Sequence, residues 1–197
     1  MMNVLGIVGS LRGDSLNRRL LRAAADELPP EAELIPFEGL KVVEPFDETD
    51  EQEAGGGMPG ADAFIAAIRE ADAVLFVTPE YNGSIPGVLK NAVDWASRPT
   101  PAASALANKP VAVIGASTSM FGAVWAQAEL RKALGLAGAR VLHQELAVPT
   151  AHEAFNDDGR LARGATRRRL REILAQLVAE AQPALALDTP PGLRARD

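Results

Sequence analysis

The sequence predicts an α/β protein in which helices cover both faces of a five-stranded parallel sheet. Two observations lead to this fold class. Short runs rich in Val, Leu and Ile alternate with segments whose apolar residues recur at helical spacing. The length of 197 residues is that of one domain, and a domain of this size buries roughly 70% of its unfolded surface. The strands are predicted at residues 3–8, 33–36, 73–78, 110–115 and 140–148.

The first half of the chain holds two of these strands. Residues 3–8 form an apolar run typical of a strand that is covered on both faces. The segment 15–28 has leucines and alanines at helical spacing and stops at two prolines. A weak strand at 33–36 precedes an acidic loop at 44–53 and three glycines. The next helix begins with Pro59, where the missing N–H costs nothing.

The second half repeats the alternation. Residues 73–78 read Ala-Val-Leu-Phe-Val-Thr and form the clearest strand, and residues 110–115 form another buried one. The helix between them is ended by two prolines. The tail 183–197 has three prolines and little apolar patterning, so we expect it to be extended or disordered, and the predicted domain covers 1–182. The predicted helices cover 15–28, 59–70, 87–96, 123–136 and 166–181.

Right-handed crossovers leave two common strand orders for such a sheet, the flavodoxin-like order 2-1-3-4-5 and the Rossmann-type order. In both, ligands bind at the carboxyl ends of the strands, where the winding of the chain reverses. For the order 2-1-3-4-5 that point lies between the first and third strands. The loops that follow these strands, residues 9–17 and 79–86, are therefore the candidate binding loops.

Composition and charge exclude several classes of function. The absence of cysteine excludes disulfides, thiolate metal sites and a cysteine nucleophile. With His143 and His152 as the two histidines, a zinc site is poorly supplied and structural roles are favoured. The net charge of −6 argues against nucleic-acid binding, and we interpret the arginines at 167–169 as an exposed helix face. No apolar run reaches the ~18 residues of a membrane span, and the chain starts without a charged leader, so a cytoplasmic protein is expected.

The first candidate loop reads Gly9-Ser10-Leu11-Arg12-Gly13-Asp14-Ser15-Leu16-Asn17-Arg18. It is neither a Walker loop nor a dinucleotide fingerprint, because Gly-Lys-Ser/Thr and G-x-G-x-x-G are both absent. Its polar groups precede a helix N-terminus, where N–H groups and the helix dipole favour an anion. Arg12 can chelate two phosphate oxygens, and Ser10, Ser15 and Asn17 can donate hydrogen bonds. Alternatively, Ser15 only caps the helix and Arg12 is only a solvated loop residue.

The second candidate loop reads Thr78-Pro79-Glu80-Tyr81-Asn82-Gly83-Ser84-Ile85-Pro86-Gly87. Two prolines bracket a polar turn, which makes the loop stiff and presents successive backbone N–H and C=O groups. Such a surface suits the edge of a planar heterocycle that has alternating donors and acceptors. An ordinary connecting turn is the favoured interpretation of Asn82-Gly83 taken alone.

Together the two loops resemble the NADPH-dependent FMN reductase family, which includes chromate and quinone reductases of flavodoxin-like fold. The most specific similarity is the ungapped run from residue 79 to 95, which continues the second loop as Val-Leu-Lys-Asn-Ala-Val-Asp-Trp. The resemblance spans roughly residues 2–180 and implies the strand order 2-1-3-4-5. Further similar positions are Ala116, Ser117, Gly122, Gln127, Leu130 and Arg131.

The resemblance implies non-covalently bound FMN and assigns residues to its two ends. The phosphate site carried over from the family consists of Ser10, Arg12, Ser15, the Leu16 backbone and Asn17. The edge of the isoalloxazine ring is placed against Pro79, Glu80, Tyr81, Asn82, Gly83 and Ser84, with Ser117 on the opposite loop. The segment 117–121 departs from the small, glycine-rich stretch usual in the family, so no preference between NADPH and NADH is predicted.

The activity implied by the resemblance is that of an NAD(P)H-dependent oxidoreductase. Hydride passes from the nicotinamide to flavin N5, and the reduced flavin then gives electrons to a quinone, a free flavin, an azo compound or chromate. The flavin carries this chemistry, so no catalytic side chain and no metal is predicted. Two alternatives stay open, namely a flavodoxin-like electron carrier and a phosphate- or nucleotide-binding domain without flavin.

The resemblance also implies a subunit contact through the helix at residues 88–95. We therefore expect a homodimer. A homotetramer is the less favoured alternative, because Trp125 and Ala128 are not the polar residues expected of a tetramer-forming network. The acidic segment 44–53 is interpreted as a solvated loop, with a lid over the flavin as the alternative.

Overall fold

The computed structural model describes residues 1–53 and 57–182 and confirms the predicted alternation of strands and helices. The strands are β1 (Met2–Val8), β2 (Ala32–Pro36), β3 (Ala73–Thr78), β4 (Pro110–Ala116) and β5 (Arg140–Val148). The α-helices in these residues are α1 (Leu16–Glu27), α2 (Glu48–Glu53), α3 (Pro59–Glu70), α4 (Gly87–Ala96), α5 (Val124–Leu136) and α6 (Gly164–Ala181). A short 3₁₀ turn covers Leu40–Val42. None of the helices in the described parts of the chain has the length and apolar character that crossing a bilayer requires.

The strands form one parallel sheet in the order β2-β1-β3-β4-β5, which confirms the flavodoxin-like order. β1 lies between β2 and β3, with Leu5 opposite Ile35 on one side and Val74 on the other. Since β1 and β3 are adjacent and parallel, their last residues, Val8 and Thr78, lie at the same edge of the sheet. The chain reverses its winding at this edge.

Helices cover both faces of the sheet and divide the core into two layers. Leu20 of α1 and Leu174 of α6 are fully buried in one layer. Phe64 of α3, Leu89 of α4 and Leu130 of α5 are fully buried in the other. The central strands β3 and β4 are buried at every position, as expected for parallel strands between two helical layers.

One ion-pair cluster joins the two helices of the first layer. Glu27 at the end of α1 has a side chain that is only 8% exposed, and its carboxylate pairs with Arg167 and Arg171 of α6. Two oxygens of a nearly buried carboxylate thus face two guanidinium groups. Of the arginines at 167–169, which the sequence predicted to form an exposed helix face, Arg167 is therefore part of an interhelical contact, while Arg168 is exposed.

The predicted loop at 44–53 is wrong in part, because α2 lies within it. Asp47 Oδ1 accepts a hydrogen bond from the Thr49 N–H at 2.7 Å, and Arg98 pairs with Glu48 and Glu51 at 3.2 and 2.8 Å. A capping carboxylate and a distant arginine stabilise this short helix, which has no apolar periodicity to reveal it. Two predictions, the tail at 183–197 and most of the glycine run, lie outside the described residues.

Candidate functional site

The loops after β1 and β3 lie side by side, as the strand order predicted. The Gly9 N–H donates to the Val77 carbonyl at 2.9 Å, which continues the pairing one residue beyond β1. A Cβ on Gly9 would lie 2.9 Å from Leu89 Cδ2 and 3.3 Å from Pro79 Cδ. The first loop therefore passes this closely over the second because residue 9 has no side chain.

A cleft of about 240 Å³ lies between these two loops and the loop after β4. Most of the predicted site residues line it, and so do Ala116 and Thr118, which the sequence analysis did not assign to the site. These two residues could have been predicted from the strand order, because β4 lies next to β3 and the loop after it therefore lies at the same edge of the sheet. Pockets for cofactors usually measure ~300–1,000 Å³, so the cleft encloses part of such a ligand and leaves the rest at its rim. The predicted residues that line it are Ser10, Arg12, Ser15, Leu16, Asn17, Pro79, Glu80, Tyr81 and Ser117.

The N-terminus of α1 forms one end of this cleft. Ser15 is its N-cap, and the Ser15 hydroxyl oxygen accepts a hydrogen bond from the Asn17 N–H at 3.2 Å. The first N–H groups of a helix have no intrahelical partner. Since Ser15 satisfies one of them with an uncharged group, helix geometry leaves the Leu16 N–H for a ligand. The capping role of Ser15 and its place in an anion site are thus compatible.

Arg12 lies at the mouth of the cleft and is engaged by a neighbouring carboxylate. Its Nε and Nη2 donate to the two carboxylate oxygens of Asp14 at 3.1 and 3.0 Å. The hydrogen bonds between them raise the pKa of Arg12 and lower the pKa of Asp14. A second guanidinium, that of Arg18, donates to the Arg12 carbonyl at 3.2 Å and to Glu38 at 2.8 Å. The loop therefore carries two cations, of which Arg12 lines the cleft.

Asn17 joins the first loop to β4 across the floor of the cleft. Its side chain is almost fully buried. The Nδ2 group donates to the Ala116 carbonyl, and Oδ1 accepts from the Ala116 N–H, both at 2.9 Å. This pair of bonds fixes the start of α1 relative to the end of β4. The structure thus gives the Asn17 amide a positioning role. From the sequence we expected only a contact with the phosphate.

The second loop contains a tight two-residue turn. Tyr81 and Ser84 exchange backbone hydrogen bonds of 3.1 Å, while Asn82 and Gly83 have φ angles of 53° and 75°. Two successive positive φ angles define a type I′ turn, for which Asn-Gly is the preferred sequence. Asn82, Gly83 and Ser84 do not line the cleft, and the tip of this turn extends beyond it. Tyr81 reaches back to it, since its hydroxyl lies 3.4 Å from the buried Ser10 hydroxyl.

Two side chains of the second loop bind α5. The Glu80 carboxylate accepts hydrogen bonds from the N–H groups of Trp125 and Ala126 at 3.0 and 3.2 Å. The Ser84 hydroxyl donates to the carboxylate of Glu129 one turn further along the helix. Both contacts hold the loop against α5. The sequence placed Glu80 and Ser84 at the ring edge and gave no sign of these partners.

The loop after β4 closes the third side of the cleft. The Ser117 N–H donates to the Val148 carbonyl, and the Ser117 hydroxyl oxygen accepts from the Ser119 N–H, both at 3.1 Å. Beyond them Phe121 packs against Trp125 with ring centroids 4.8 Å apart. Both aromatic rings are about half exposed. This part of the rim is therefore apolar and faces solvent.

The two histidines lie away from this cleft. His143 and His152 are exposed, and His152 lies 3.4 Å from the neighbouring Glu153 carboxylate. Within residues 1–53 and 57–182, no group of three or more His, Asp or Glu side chains is arranged to hold a metal ion. The structure thus places no histidine at the cleft.

A larger cavity of about 740 Å³ lies at the opposite edge of the sheet, where strands begin. Its charged groups are used within the protein: Arg140 pairs with Glu180 at 3.2 Å, and the Lys109 ammonium donates to the Ala71 carbonyl. Burial lowers the pKa of Lys109. Ligands of parallel α/β sheets bind at the carboxyl ends of the strands, so the smaller cleft is the better candidate.

Comparison with known proteins identifies the family. Residues 2–153 match the NADPH-dependent FMN reductase family. The chain belongs to this family. An NAD(P)H-dependent FMN reductase of Pseudomonas aeruginosa is 41% identical over 163 residues, which are 81% of this chain and 84% of the relative. The probable NADPH:quinone oxidoreductase 1 of Oryza sativa subsp. japonica is 39% identical over 189 residues, or 91% of each protein.

A solved structure agrees with this assignment. The flavoenzyme NAD(P)H:(acceptor) oxidoreductase FerB from Paracoccus denitrificans is 30% identical and superposes with a TM-score of 0.78. The superposition covers 92% of this chain and 97% of FerB. These similarities confirm the predicted flavodoxin-like fold, FMN with NAD(P)H as the cofactors, and the oxidoreductase class.

The groups that line the cleft fit FMN chemically. One end offers a guanidinium, two hydroxyls and a helix N-terminus, which suit a phosphate dianion. The other end offers the stiff backbone of the second loop and a tyrosine hydroxyl, which suit a polar heterocycle. A ligand with a phosphate at one end and a planar ring at the other matches this division.

Proposed function

We propose that the cleft holds FMN with its phosphate at the first loop and its ring at the second. The observation that carries this proposal is the donor set at one end of the cleft. Arg12, the hydroxyls of Ser10 and Ser15, and the Leu16 N–H all lie where the 12-residue helix α1 begins. Asn17 holds that helix start against β4.

The ring is proposed to lie along Pro79, Glu80 and Tyr81 and to extend over the type I′ turn. The backbone of this loop supplies donors and acceptors at fixed positions, because the turn and the Glu80 contacts with α5 restrain it. Ser117 faces it from the loop after β4. FMN bound here supplies the chemistry by accepting hydride from NAD(P)H and passing electrons to an acceptor. The protein's part is to bind and orient the flavin.

The acceptor class that we propose is a quinone. The relatives supporting this include the rice enzyme described above and a 2-hydroxy-1,4-benzoquinone reductase of Burkholderia sp, which is 42% identical over 132 residues. The half-exposed ring of Phe121, which packs against Trp125 near the second loop, also suits a planar apolar substrate. Free flavins, azo compounds and chromate are the acceptors to compare with quinones in the same assay.

The experiment that tests this function begins with the purified protein. Its visible spectrum should show bound flavin, or should acquire flavin when FMN is added. Anaerobic NADPH titration should then bleach the flavin, and a quinone should restore it. Steady-state NADPH oxidation in the presence of quinone separates a reductase from an electron carrier, because a carrier shows almost none. A protein that stays colourless with added FMN would contradict the proposal.

We also propose that the protein is a homodimer that contacts its partner through α4 and α5. Val88, Trp125 and Leu136 are apolar and 36%, 49% and 70% exposed on these neighbouring helices. The proposed interface is narrower than residues 88–95, because Trp95 and Asn91 both donate to the Glu44 carbonyl of their own chain at 2.8 Å. The contact therefore uses the Val88 side of α4 together with α5.

Light scattering tests the dimer directly. We expect a mass twice the 20.8 kDa of one chain at micromolar concentration. Trp125→Glu should shift the mass toward one chain, while Arg168→Glu, on the exposed face of α6, should leave it unchanged. A single 20.8 kDa species in the unmodified protein would exclude the dimer. A cytoplasmic location is proposed as well, supported by the use of NAD(P)H as reductant.

A further inference from the structure

We propose that Asp14 binds the two guanidinium donors of Arg12 that would otherwise bind the FMN phosphate, and that it thereby weakens the binding of FMN. This inference rests on the proposed function of the cleft. It assigns to Asp14 the role of an internal competitor that stands where the ligand's phosphate would bind. Asp14 thus sets how readily FMN enters and leaves, and it does so through Arg12.

The geometry of the pair carries the inference. Arg12 Nε donates to Asp14 Oδ1 at 3.1 Å, and Arg12 Nη2 donates to Asp14 Oδ2 at 3.0 Å. This is the two-pronged arrangement in which a guanidinium binds either a carboxylate or a phosphate. Nε and Nη2 therefore both donate to Asp14. A phosphate can accept from the same two donors only by displacing the carboxylate.

Replacing Asp14 by a phosphate on Arg12 requires only the two side chains to move, and no movement of the backbone. The Arg12 carbonyl accepts from the Ser15 N–H at 3.3 Å and from Arg18 Nε at 3.2 Å, so two hydrogen bonds hold the loop backbone at this point. The two side chains of the ion pair are 71% and 77% exposed. Exposed side chains can swing without unpacking any core, so the backbone that forms the anion site is already in place.

Charge makes the exchange unfavourable for a phosphate. Arg12 is neutralised by Asp14, and Arg18 is neutralised by Glu38. A phosphate dianion thus approaches two cations that are each paired with a carboxylate. Once it has displaced Asp14, that carboxylate remains two residues away and repels it. Riboflavin has no phosphate, so neither effect applies to it.

The test compares flavin affinities of Asp14→Asn and the unmodified protein, both freed of flavin and titrated by flavin fluorescence. Asparagine keeps the shape of the side chain and removes its charge. We expect FMN to bind about three- to fivefold more tightly to the variant, with riboflavin affinity unchanged. The gain should shrink in concentrated salt because the site is exposed. The matched control is Asp26→Asn, which removes the same charge from the exposed far end of α1 and should change FMN affinity less than about twofold.

Two outcomes overturn the inference. If the unmodified protein binds FMN and Asp14→Asn binds it no more tightly, Asp14 does not compete, while the proposed function stands. If no variant binds FMN at all, the proposed function fails and this inference fails with it. Combining Asp14→Asn with Arg12→Ala tests the route. Without the guanidinium only the direct repulsion between Asp14 and the phosphate remains, so the gain should fall below about twofold. A full gain in that background would show that Asp14 acts without Arg12.

Discussion

The N-terminus of α1 lies at the cleft, and that of α5 binds Glu80 of the second loop, but the groups that cap these two helices differ in charge. At α1 the neutral Ser15 hydroxyl accepts from the Asn17 N–H at 3.2 Å. At α5 the Glu80 carboxylate accepts from Trp125 and Ala126 at 3.0 and 3.2 Å. A helix N-terminus carries about half a positive charge. The α5 terminus therefore already holds an anion supplied by the protein, whereas the α1 terminus does not.

The N-terminus of α3 extends this comparison. The Glu44 carboxylate accepts from the N–H groups of Gly60 and Ala61 at 3.1 and 2.9 Å, and these bonds lower the pKa of Glu44. Two helices are thus capped by carboxylates from distant loops, while α1 keeps a local uncharged cap. Of these three helices, α1 is the one whose N-terminal dipole is not neutralised by a capping carboxylate. The N-terminus of α1 is therefore where a ligand anion can bind.

The largest effect is expected for Asn17→Ala, which removes the two bonds that hold the α1 terminus in place. A buried donor and acceptor on Ala116 lose their partners, at about 1–3 kcal/mol each. We expect a loss of about 2–4 kcal/mol of stability, or roughly 5–15 °C in Tm, measured by thermal unfolding. Asn156→Ala, which changes an exposed amide in a turn, is the control. An unchanged Tm would mean that the α1 terminus is positioned by other contacts.

A smaller effect is expected for Glu80→Ala, which removes the charged cap of α5. Loss of a helix cap costs about 0.5–2 kcal/mol, or roughly 2–6 °C in Tm, and Glu80→Gln should lose less because its amide oxygen still accepts. Flavin titration sharpens the comparison. Affinity for FMN and for riboflavin should change by the same factor, because Glu80 supports the ring side of the cleft. A loss of FMN affinity without a loss of riboflavin affinity would contradict this account, because it would place the phosphate at α5 rather than at α1.

The cap of α3 predicts a pH dependence of stability. Since the folded protein lowers the pKa of Glu44 below its ordinary 4.5, the carboxylate stabilises the fold above that pH. This contribution is lost as the pH falls from 4.5 through the lowered value. Glu44→Gln should therefore cost about 1 kcal/mol at pH 7 and progressively less in acid, as read from urea unfolding midpoints. If the stability difference between Glu44→Gln and the unmodified protein stayed constant down to strongly acidic pH, the Glu44 carboxylate could not be its source.

The smallest effect is expected for the double variant His143→Gln and His152→Gln. Both side chains are exposed and away from the cleft, and the proposed chemistry needs no titrating side chain near neutral pH. Flavin reduction by NADPH, followed by stopped-flow absorbance, should stay within about a few-fold of the unmodified rate. A loss of a hundredfold or more, in folded and flavin-loaded protein, would reveal an acid or base at the site.

The sequence was sufficient for the fold and for the place of the cleft. The central strands β3 and β4 are continuous apolar runs, and prolines or glycines mark most helix ends, so local pattern and global architecture agree. The handedness of the crossovers then restricts the strand order. Once β1 and β3 are neighbours, the loops that follow them must meet. Loop 9–17 and loop 79–86 could therefore be selected without knowing a single side-chain contact.

The partners of individual polar side chains could not be predicted. Asn17 binds a residue 99 positions away, and Glu80 binds one 45 positions away. From the sequence alone, such residues cannot be distinguished from polar residues that bind a ligand. The helix α2 was missed for a related reason, although Asp47 before Glu48 and Thr49 is a capping signal that a closer interpretation could have used.

The central claim is that the open N-terminus of α1, with Arg12 beside it, binds the phosphate of FMN. Dissociation constants for FMN and for riboflavin, measured by fluorescence titration of the unmodified protein and of Arg12→Ala, test it most directly. The substitution should weaken FMN binding by roughly ten- to a hundredfold, since a charge-assisted contact is lost, and should leave riboflavin almost unchanged. Unchanged FMN affinity, or an equal loss for both flavins, would contradict the account.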